Sequence, residues 1–546
     1  MTPRSRPRTV AAFAAAALTA ITVSVIPTGA SAAPSEDGCT NRNINQIDKL
    51  LECVDADGAF EHLAAFQSFA DANGDTRASG TPGYDLSVDY VADVLADAGW
   101  TVERQEFQFS SFTENSSSLT IDGVSAETGA FEFSGSGVVT NGNVVPVDLD
   151  LGLGNTSTSG CEAADFDPND FLGGNDIALI QRGACNFSAK ALNAQAAGAE
   201  AVVIFNQGNT EGRTGLIVGT LGEGVVGTLT IPVVGASYAD GLAISAATAV
   251  DLSADTTVQT STTENVIGEL TGVNDDNVVM AGAHLDSVQE GPGIQDNGSG
   301  SAALLEVAQV LGENTKYVPQ NTLRFAWWGA EESGLIGSFE YFTNADFGLL
   351  NGPAEEIARI SSYLNFDMIA SPNFIYGVYD ADQSTFPAPV PVPPGSDALE
   401  DLFEAYYSIE GVPYEDTEFS GRSDYQVFIL LGIPASGLFT GAEVHKTPEQ
   451  EAIWGGTAGE QFDQCYHLAC DTIDNVSAEA LDVNIDAVAY AVYNLAATTE
   501  AVNGVAGVEP KGITPDEVVF DGPQGTFLNG GGGLSHDHVH EDHAIS

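Results

Sequence analysis

The chain predicts an α/β fold, with a mostly parallel sheet flanked by helices and an inserted β-rich domain. Three observations point there. From residue 263 onward, short apolar runs alternate with helical segments, the order that places helices on the faces of a parallel sheet. His284, Asp296, Glu331, Glu332 and Asp367 fall at the ends of those strands or just before a helix, where open α/β sheets gather their ligands. Residues 111–175, in contrast, are rich in Ser, Gly and Thr with short alternating runs, which reads as β-structure and loops.

The 546 residues carry 77 Asp and Glu against 16 Lys and Arg, a net charge of −61. Such a field repels polyphosphate, so neither nucleic acid nor an anionic membrane is an expected partner. Hydrophobic residues make up 43%, enough for large cores, and global disorder is excluded. The length predicts two to four domains at roughly 150 residues each.

The order along the chain follows. Arg4, Arg6 and Arg8, an apolar stretch from Val10 to Ile26 and the small residues Ala30-Ser31-Ala32 read as a secretory signal peptide over 1–32. Its removal takes three cations and leaves −64. Elsewhere no segment approaches the ~20 apolar residues of a membrane span. A secreted, extracellular, monomeric protein is therefore the expectation, and export favours disulfides. Six cysteines allow many connectivities; they fall into near-neighbour pairs, which predicts Cys39–Cys53, Cys161–Cys185 and Cys465–Cys470. Residues 40–134 read as the N-terminal part of the main domain, with a helix over Tyr84–Ala98 stopped at Gly99 and a strand over Thr101–Phe109.

Ile177–Ile180, Phe187–Ala197 and Ala201–Phe205 form a strand–helix–strand pattern. Within it, "RGACNFSAKALNAQAAGAEAVVIFN" (Arg182–Asn206) resembles the protease-associated (PA) domain through its Arg-Gly-x-Cys-x-Phe and Ala-Gly-Ala elements. Residues 135–262 are accordingly expected to be a PA-like insertion, and 263–503 the remainder of the main domain. Strands are expected over Val278–Ala283, Thr322–Trp328 and Tyr363–Phe366, with a helix over Ser301–Leu311. Residues 504–546, with Gly530–Gly533 and "HDHVHEDH", read as a Gly-rich linker and a disordered His-rich tail.

Four separate pieces deliver His and carboxylates to one sheet edge: "AGAHLDS", "GIQDNGSG", "WWGAEESG" and "YLNFDMIA"; "CYHLAC" adds His467 inside a small loop. The adjacent pair Glu331-Glu332 is electrostatically costly unless a cation compensates, and few Lys or Arg are available. Imidazole nitrogen with carboxylate oxygen and no thiolate suits zinc, ahead of cobalt or manganese. Two His and three carboxylates exceed one open tetrahedral site and fit two metals sharing a carboxylate. Asp286, two residues beyond His284, can orient that imidazole. The Trp327-Trp328 pair fits either a pocket lining or a strand packed on both faces.

His-x-Asp, Asp-Asn-Gly-Ser-Gly, Gly-Ala-Glu-Glu, Asn-Phe-Asp-Met and Cys-Tyr-His, in this order, resemble the secreted two-zinc aminopeptidases of bacteria, of the aminopeptidase Y-like kind that carries a PA insertion. The resemblance covers residues 78–110 and nearly all of 263–500. It implies that Asp296 bridges two zinc ions, with His284 and Asp367 completing one site and Glu332 and His467 the other. It implies Glu331 as general base and then acid toward a bridging hydroxide, and Tyr466 as a support for the oxyanion. Gly421 and Arg422 match a substrate-facing loop; Phe439 and Met368 offer an apolar wall. Peptide N-termini are the implied substrate, with large apolar residues such as Leu favoured. The resemblance also hints at calcium at Asp482 and Asp486, although two Asp on a solvated helix face need no ion.

Two other readings stand beside this one. A carboxypeptidase or a glutaminyl cyclase could use the same scaffold, but a C-terminal carboxylate calls for several Arg, and only Arg324, Arg359 and Arg422 follow residue 263. A non-catalytic PA-domain binding protein would not require the full ligand set with Glu331.

Overall fold

The computed structural model describes residues 36–167, 170–210, 212–343 and 357–512. The expected signal peptide and the His-rich tail lie outside them. Among the described residues no helix is long and apolar enough to cross a membrane.

Thirteen strands form one continuous hydrogen-bonded sheet: β1 (Thr101–Ile121), β2 (Val124–Ala126), β3 (Gly137–Val147), β4 (Asp176–Gln181), β5 (Ala201–Phe205), β6 (Val233–Ala236), β7 (Val250–Leu270), β8 (Asn274–His284), β9 (Asn321–Trp328), β10 (Ile360–Phe366), β11 (Gly377–Tyr379), β12 (Glu415–Thr417) and β13 (Ala435–Phe439). The main path runs β12-β11-β13-β10-β8-β9-β7-β3-β4-β5-β6. Two runs along it are parallel, β13-β10-β8-β9 and β3-β4-β5-β6, while β11 joins β13 antiparallel.

The antiparallel pair β1–β7 joins them. It is in register from Thr101↔Glu269 to Ile121↔Val250, with one irregularity near Asn115. The Val266–Leu270 end of β7 extends the first sheet through β9, and its Val250–Ala254 end extends the second through β3. Phe112, Phe131 and Phe133 pack into the second unit's core, so the ribbon belongs to both units and neither 134/135 nor 262/263 is a break in the hydrogen-bonded structure.

Strands β9 and β10 are buried at every position, so their polar members find partners inside: Asn365 donates to Ser423 Oγ at 2.8 Å and Arg324 to Glu269 Oε2 at 2.6 Å. Trp327 and Trp328 go to opposite faces. Trp327 joins the core under helix Gly298–Glu313 and donates to Ser301 O at 3.0 Å; Trp328 joins the core on the other side and donates to Tyr363 Oη at 2.8 Å. The pair is therefore packing on both faces of one strand.

Helix Gly298–Glu313 begins beside the end of β10, and its glycines make that approach possible. Asn297 caps it, accepting from Gly300 N at 3.0 Å. A Cβ on Gly300 would stand 2.1 Å from Phe366 O. The segment Asp-Asn-Gly-Ser-Gly thus seats Asp296 next to Asp367. The three disulfides are Cys39–Cys53, Cys161–Cys185 and Cys465–Cys470, and no described cysteine is free.

Candidate active site

All five expected ligands meet at the carboxyl edge of the first sheet. His284 closes β8, Asp367 follows β10, Glu331 and Glu332 follow β9, Asp296 precedes the helix, and His467 comes from the Cys465–Cys470 loop. Asp296 stands at the centre. Its Oδ1 lies 3.3 Å from His284 Nε2 and its Oδ2 lies 3.3 Å from His467 Nε2. Asp367 Oδ1 is 3.3 Å from His284 Nε2, and Glu332 Oε2 is 3.1 Å from His467 Nε2. The donors therefore sort into two groups, one for each oxygen of Asp296.

The spacing fits cations. Ligands about 2.0–2.1 Å from a tetrahedral metal stand roughly 3.3 Å from one another. Glu332 Oε1 and Asp367 Oδ1 are buried with no hydrogen-bond partner. Burial works against charge on both imidazoles, yet their pKa values are held well above the usual range, by Glu331 and Asp367 at His284 and by Glu332 and Asp296 at His467. The site demands positive charge, which bound divalent metal would supply without a proton on nitrogen. No thiolate competes, since all six cysteines are in disulfides.

Glu331 is placed differently from its neighbour. Its carboxylate converges with His284 and Asp367 to within 4.8 Å, but its Oε2 is 3.9 Å from His284 Nε2, beyond the 3.1–3.3 Å of the four pairs above. Burial, with Glu332, Asp367 and Asp424, pushes its pKa well up against the pull of His284. Its position is fixed through the main chain: Glu331 N donates to Asp286 Oδ1 at 3.2 Å, and Ala330 N to Ser79 Oγ at 2.7 Å. Asp286 thus reaches both residues. Its carbonyl is the nearer partner of His284 Nδ1, at 3.0 Å, while its carboxylate stands 3.7 Å away. The expected orientation of His284 runs through the backbone of Asp286 more than through its side chain.

Tyr466 stacks on His467 with ring centroids 3.9 Å apart, and its hydroxyl accepts from Arg422 at 3.0 Å. Arg422 also pairs with Glu443 at 2.7 Å. Gly421 adopts φ 82, which favours glycine, and its N–H donates to Tyr425 Oη at 2.7 Å. Tyr425 therefore ties down the loop that carries Arg422. The cleft, about 960 Å³, has an apolar wall that includes Met368, Ile375, Tyr379, Phe386, Phe439 and Phe462. Across it, Phe109, Phe112, Glu132 and Val218 bring the ribbon and the second unit to the same space.

Asp482 and Asp486 lie in the first half of the helix Ala478–Ala497. Asp482 is exposed and Asp486 half-buried, and burial with Asp482, Glu410 and Asp55 pushes Asp486 up to about 8. Neither belongs to a converging donor group among the described residues.

Several supports escape sequence reading. Arg77 is fully buried, and its guanidinium donates to Leu285 O, Pro292 O and Gly293 O, holding the loop between His284 and Asp296. Asp471 accepts from Gln295 N and Asp296 N at 2.9 and 3.0 Å. Ser423 donates to Asp367 Oδ2 at 2.6 Å. In sequence each is an isolated polar residue in a loop, with no periodicity to mark it.

The Cys465–Cys470 bond closes a short loop, so its entropic effect is at the low end of the usual ~2–4 kcal/mol. Replacing both cysteines with serine is expected to raise amide exchange across 465–470 by about tenfold or more, with the sheet unchanged. Unaltered exchange in that segment would show that the bond does not hold Tyr466 and His467.

The fold and this edge define a peptidase class. Residues 265–492 match peptidase family M28 and residues 139–244 match the PA domain. The chain is 45% identical over 462 residues to an aminopeptidase of Pseudomonas aeruginosa, covering 83% of each chain, and 36% identical to leucine aminopeptidase 2 of Trichophyton tonsurans, covering 79% of this chain and 82% of that one. The solved aminopeptidase from Aneurinibacillus sp. strain AM-1 superimposes with a TM-score of 0.63 at 29% identity, over 86% of this chain and 98% of that one. The protein belongs to peptidase family M28, as an aminopeptidase-type member with an inserted PA domain.

Proposed function

We propose that the protein is an extracellular aminopeptidase that uses two zinc ions to hydrolyse the N-terminal bond of peptides, favouring large apolar first residues with leucine foremost. The observation that supports this most is Asp296, whose two oxygens each face a different histidine at 3.3 Å. His284, Asp367 and one oxygen of Asp296 would hold one ion; His467, Glu332 and the other oxygen would hold its neighbour. When bound, such a pair supplies Lewis acidity and lowers the pKa of a coordinated water toward neutrality.

The chain's own groups do the rest. Glu331, held off the ligand set, takes the proton from the attacking water and returns it to the leaving amine. Arg422 donates to the Tyr466 hydroxyl, which leaves the phenolic proton for the developing oxyanion. Met368 and Phe439 sit on the apolar wall that would receive the first side chain, and the loop at Gly421 and Arg422 closes its end. The substrate's free amine meets the acidic edge. The leucine name of a fungal relative supports the same preference. Three disulfides support an oxidising, extracellular setting. A carboxypeptidase reading fares worse: Arg324 is buried against Glu269, Arg359 donates to Asp275 O, and Arg422 is committed to Glu443 and Tyr466.

The test is a panel of N-terminal aminoacyl amides at fixed ionic strength, with N-acetyl-leucyl amide as control. Leucyl amide is expected to be cleaved fastest. Neighbouring aliphatic residues should fall within ~10–200-fold, since one methylene in an apolar pocket discriminates no further. Glutamyl ahead of leucyl would overturn the pocket assignment. Equal cleavage of the acetylated compound would overturn the exopeptidase reading, because the free amine would then have no role.

A further inference from the structure

A second acidic cluster lies at the β12 margin of the first sheet, and one of its members, Asp416, also borders the cleft. Asp380 follows β11, Asp382 is two residues on, Glu400 and Glu404 come from helix Ser396–Glu410, and Asp416 lies in β12. Donor oxygens of Asp380, Asp382 and Glu400 stand within 4.8 Å of one another, and so do those of Glu400, Glu404 and Asp416. Asp380, Glu400 and Asp416 are 1%, 4% and 3% exposed. Among the described residues none of the five forms an ion pair with Lys, Arg or His.

Neutral donors meet part of this charge. Ala381 N and Asp382 N donate to Glu400 Oε2, Ser384 N and Phe386 N to Asp380, and the Ser384 and Thr385 hydroxyls to Asp416 Oδ2. The other oxygen of Asp416, Oδ1, is buried with no hydrogen-bond partner at all. A buried carboxylate oxygen left bare beside two further carboxylates costs several kcal/mol unless a cation or a proton meets it. Burial pushes Glu400 up to about 9 and Glu404 up to about 7, so at neutral pH the cluster calls for one or the other.

We propose that this cluster is a calcium site, separate from the catalytic centre, which fastens the 380–386 loop to helix Ser396–Glu410 and to β12. The donors are oxygens alone, with neither imidazole nor thiolate, which selects a hard cation. Calcium accepts 6–8 oxygens in flexible geometry, whereas magnesium demands a near-ideal octahedron and keeps several waters, so a crowd of carboxylates from three elements suits calcium better. Glu400 belongs to both groups of three, and bidentate carboxylates with water can complete the 6–8 positions around one ion beside it. Phe386 and Thr417 lie at the cleft, so the ion would brace the apolar wall from behind.

The experiment uses the full chain, zinc-loaded, in calcium-depleted buffer near pH 7.5. Calorimetric titration with calcium chloride is expected to show one saturable ion per chain, with thermal unfolding raised by several degrees at saturation. The same concentration of magnesium should leave the unfolding temperature unmoved. Asp416→Asn and Glu400→Gln should each weaken calcium at least tenfold. Asp382→Asn, at the exposed rim, should weaken it without a folding cost, so it carries the test if the buried variants do not fold. Asp482→Asn and Asp486→Asn should bind as the wild type does. Absence of saturable binding to the wild type would overturn the proposal. So would its loss in the Asp482 and Asp486 variants alone. A wild type whose unfolding temperature ignores calcium, with Glu400→Gln more stable than the wild type in its absence, would mean that protons and not calcium hold the cluster.

Discussion

Glu331→Gln is expected to lower kcat by about 10²–10⁴-fold while bound metal stays at the wild-type level, because the residue would move protons without ligating. The geometry separates it from Glu332. Glu332 Oε2 stands 3.1 Å from His467 Nε2, and Glu331 Oε2, although it converges with His284 and Asp367, stands 3.9 Å from the nearest histidine nitrogen, His284 Nε2. The amide keeps the shape and the main-chain bond to Asp286, so the fold should survive. Steady-state kinetics with elemental analysis on the same sample checks it. Metal lost from Glu331→Gln and kept in Glu332→Gln would reverse the two roles.

Asp296→Ala is expected to do more. It removes the one side chain that faces both histidines, so both donor groups lose an oxygen at once. Metal content should drop well below two per chain, and turnover should fall by at least about 10³-fold, the scale of several kcal/mol of lost transition-state stabilisation. Chelation of the wild type should do the same, and added zinc should restore activity to the wild type but not to the variant. An Asp296→Ala protein with full metal and normal turnover would remove Asp296 from the centre. The backbone there is held independently, by Asp471 on Asp296 N and by Arg77 on the preceding loop, so loss of fold is not the expected cause.

Most of the site was legible because its residues sit at chain punctuation. His284, Glu331 and Glu332 follow short apolar runs, Asp367 follows the strand-like Tyr-Leu-Asn-Phe, and Asp296 precedes Asn-Gly-Ser-Gly, so pattern marked the strand ends and the helix start. The disulfide partners were near neighbours in sequence, and the structure bonds those same neighbours. The β1–β7 ribbon was not legible at its full length. Its middle, Thr256–Thr262, is polar and largely exposed on both sides, so the alternation that would mark a strand is missing, and 21 residues far exceed the usual five or six. Arg77 and Asp471 were invisible for another reason. Their partners are backbone atoms of a loop roughly two hundred residues away, and nothing local records such a bond. The Asp380–Glu400–Asp416 cluster is likewise assembled from three elements that only the sheet order brings together.

Anomalous diffraction at the zinc edge from crystals of the zinc-loaded protein addresses the paired centre most directly. Two peaks are expected, ~3.5–4 Å apart. One should lie between His284 and Asp367, the other between His467 and Glu332, with Asp296 reaching both and Glu331 reaching neither. A single peak, or a pair in which Glu331 is a ligand, would overturn the two-ion arrangement and the role given to Glu331.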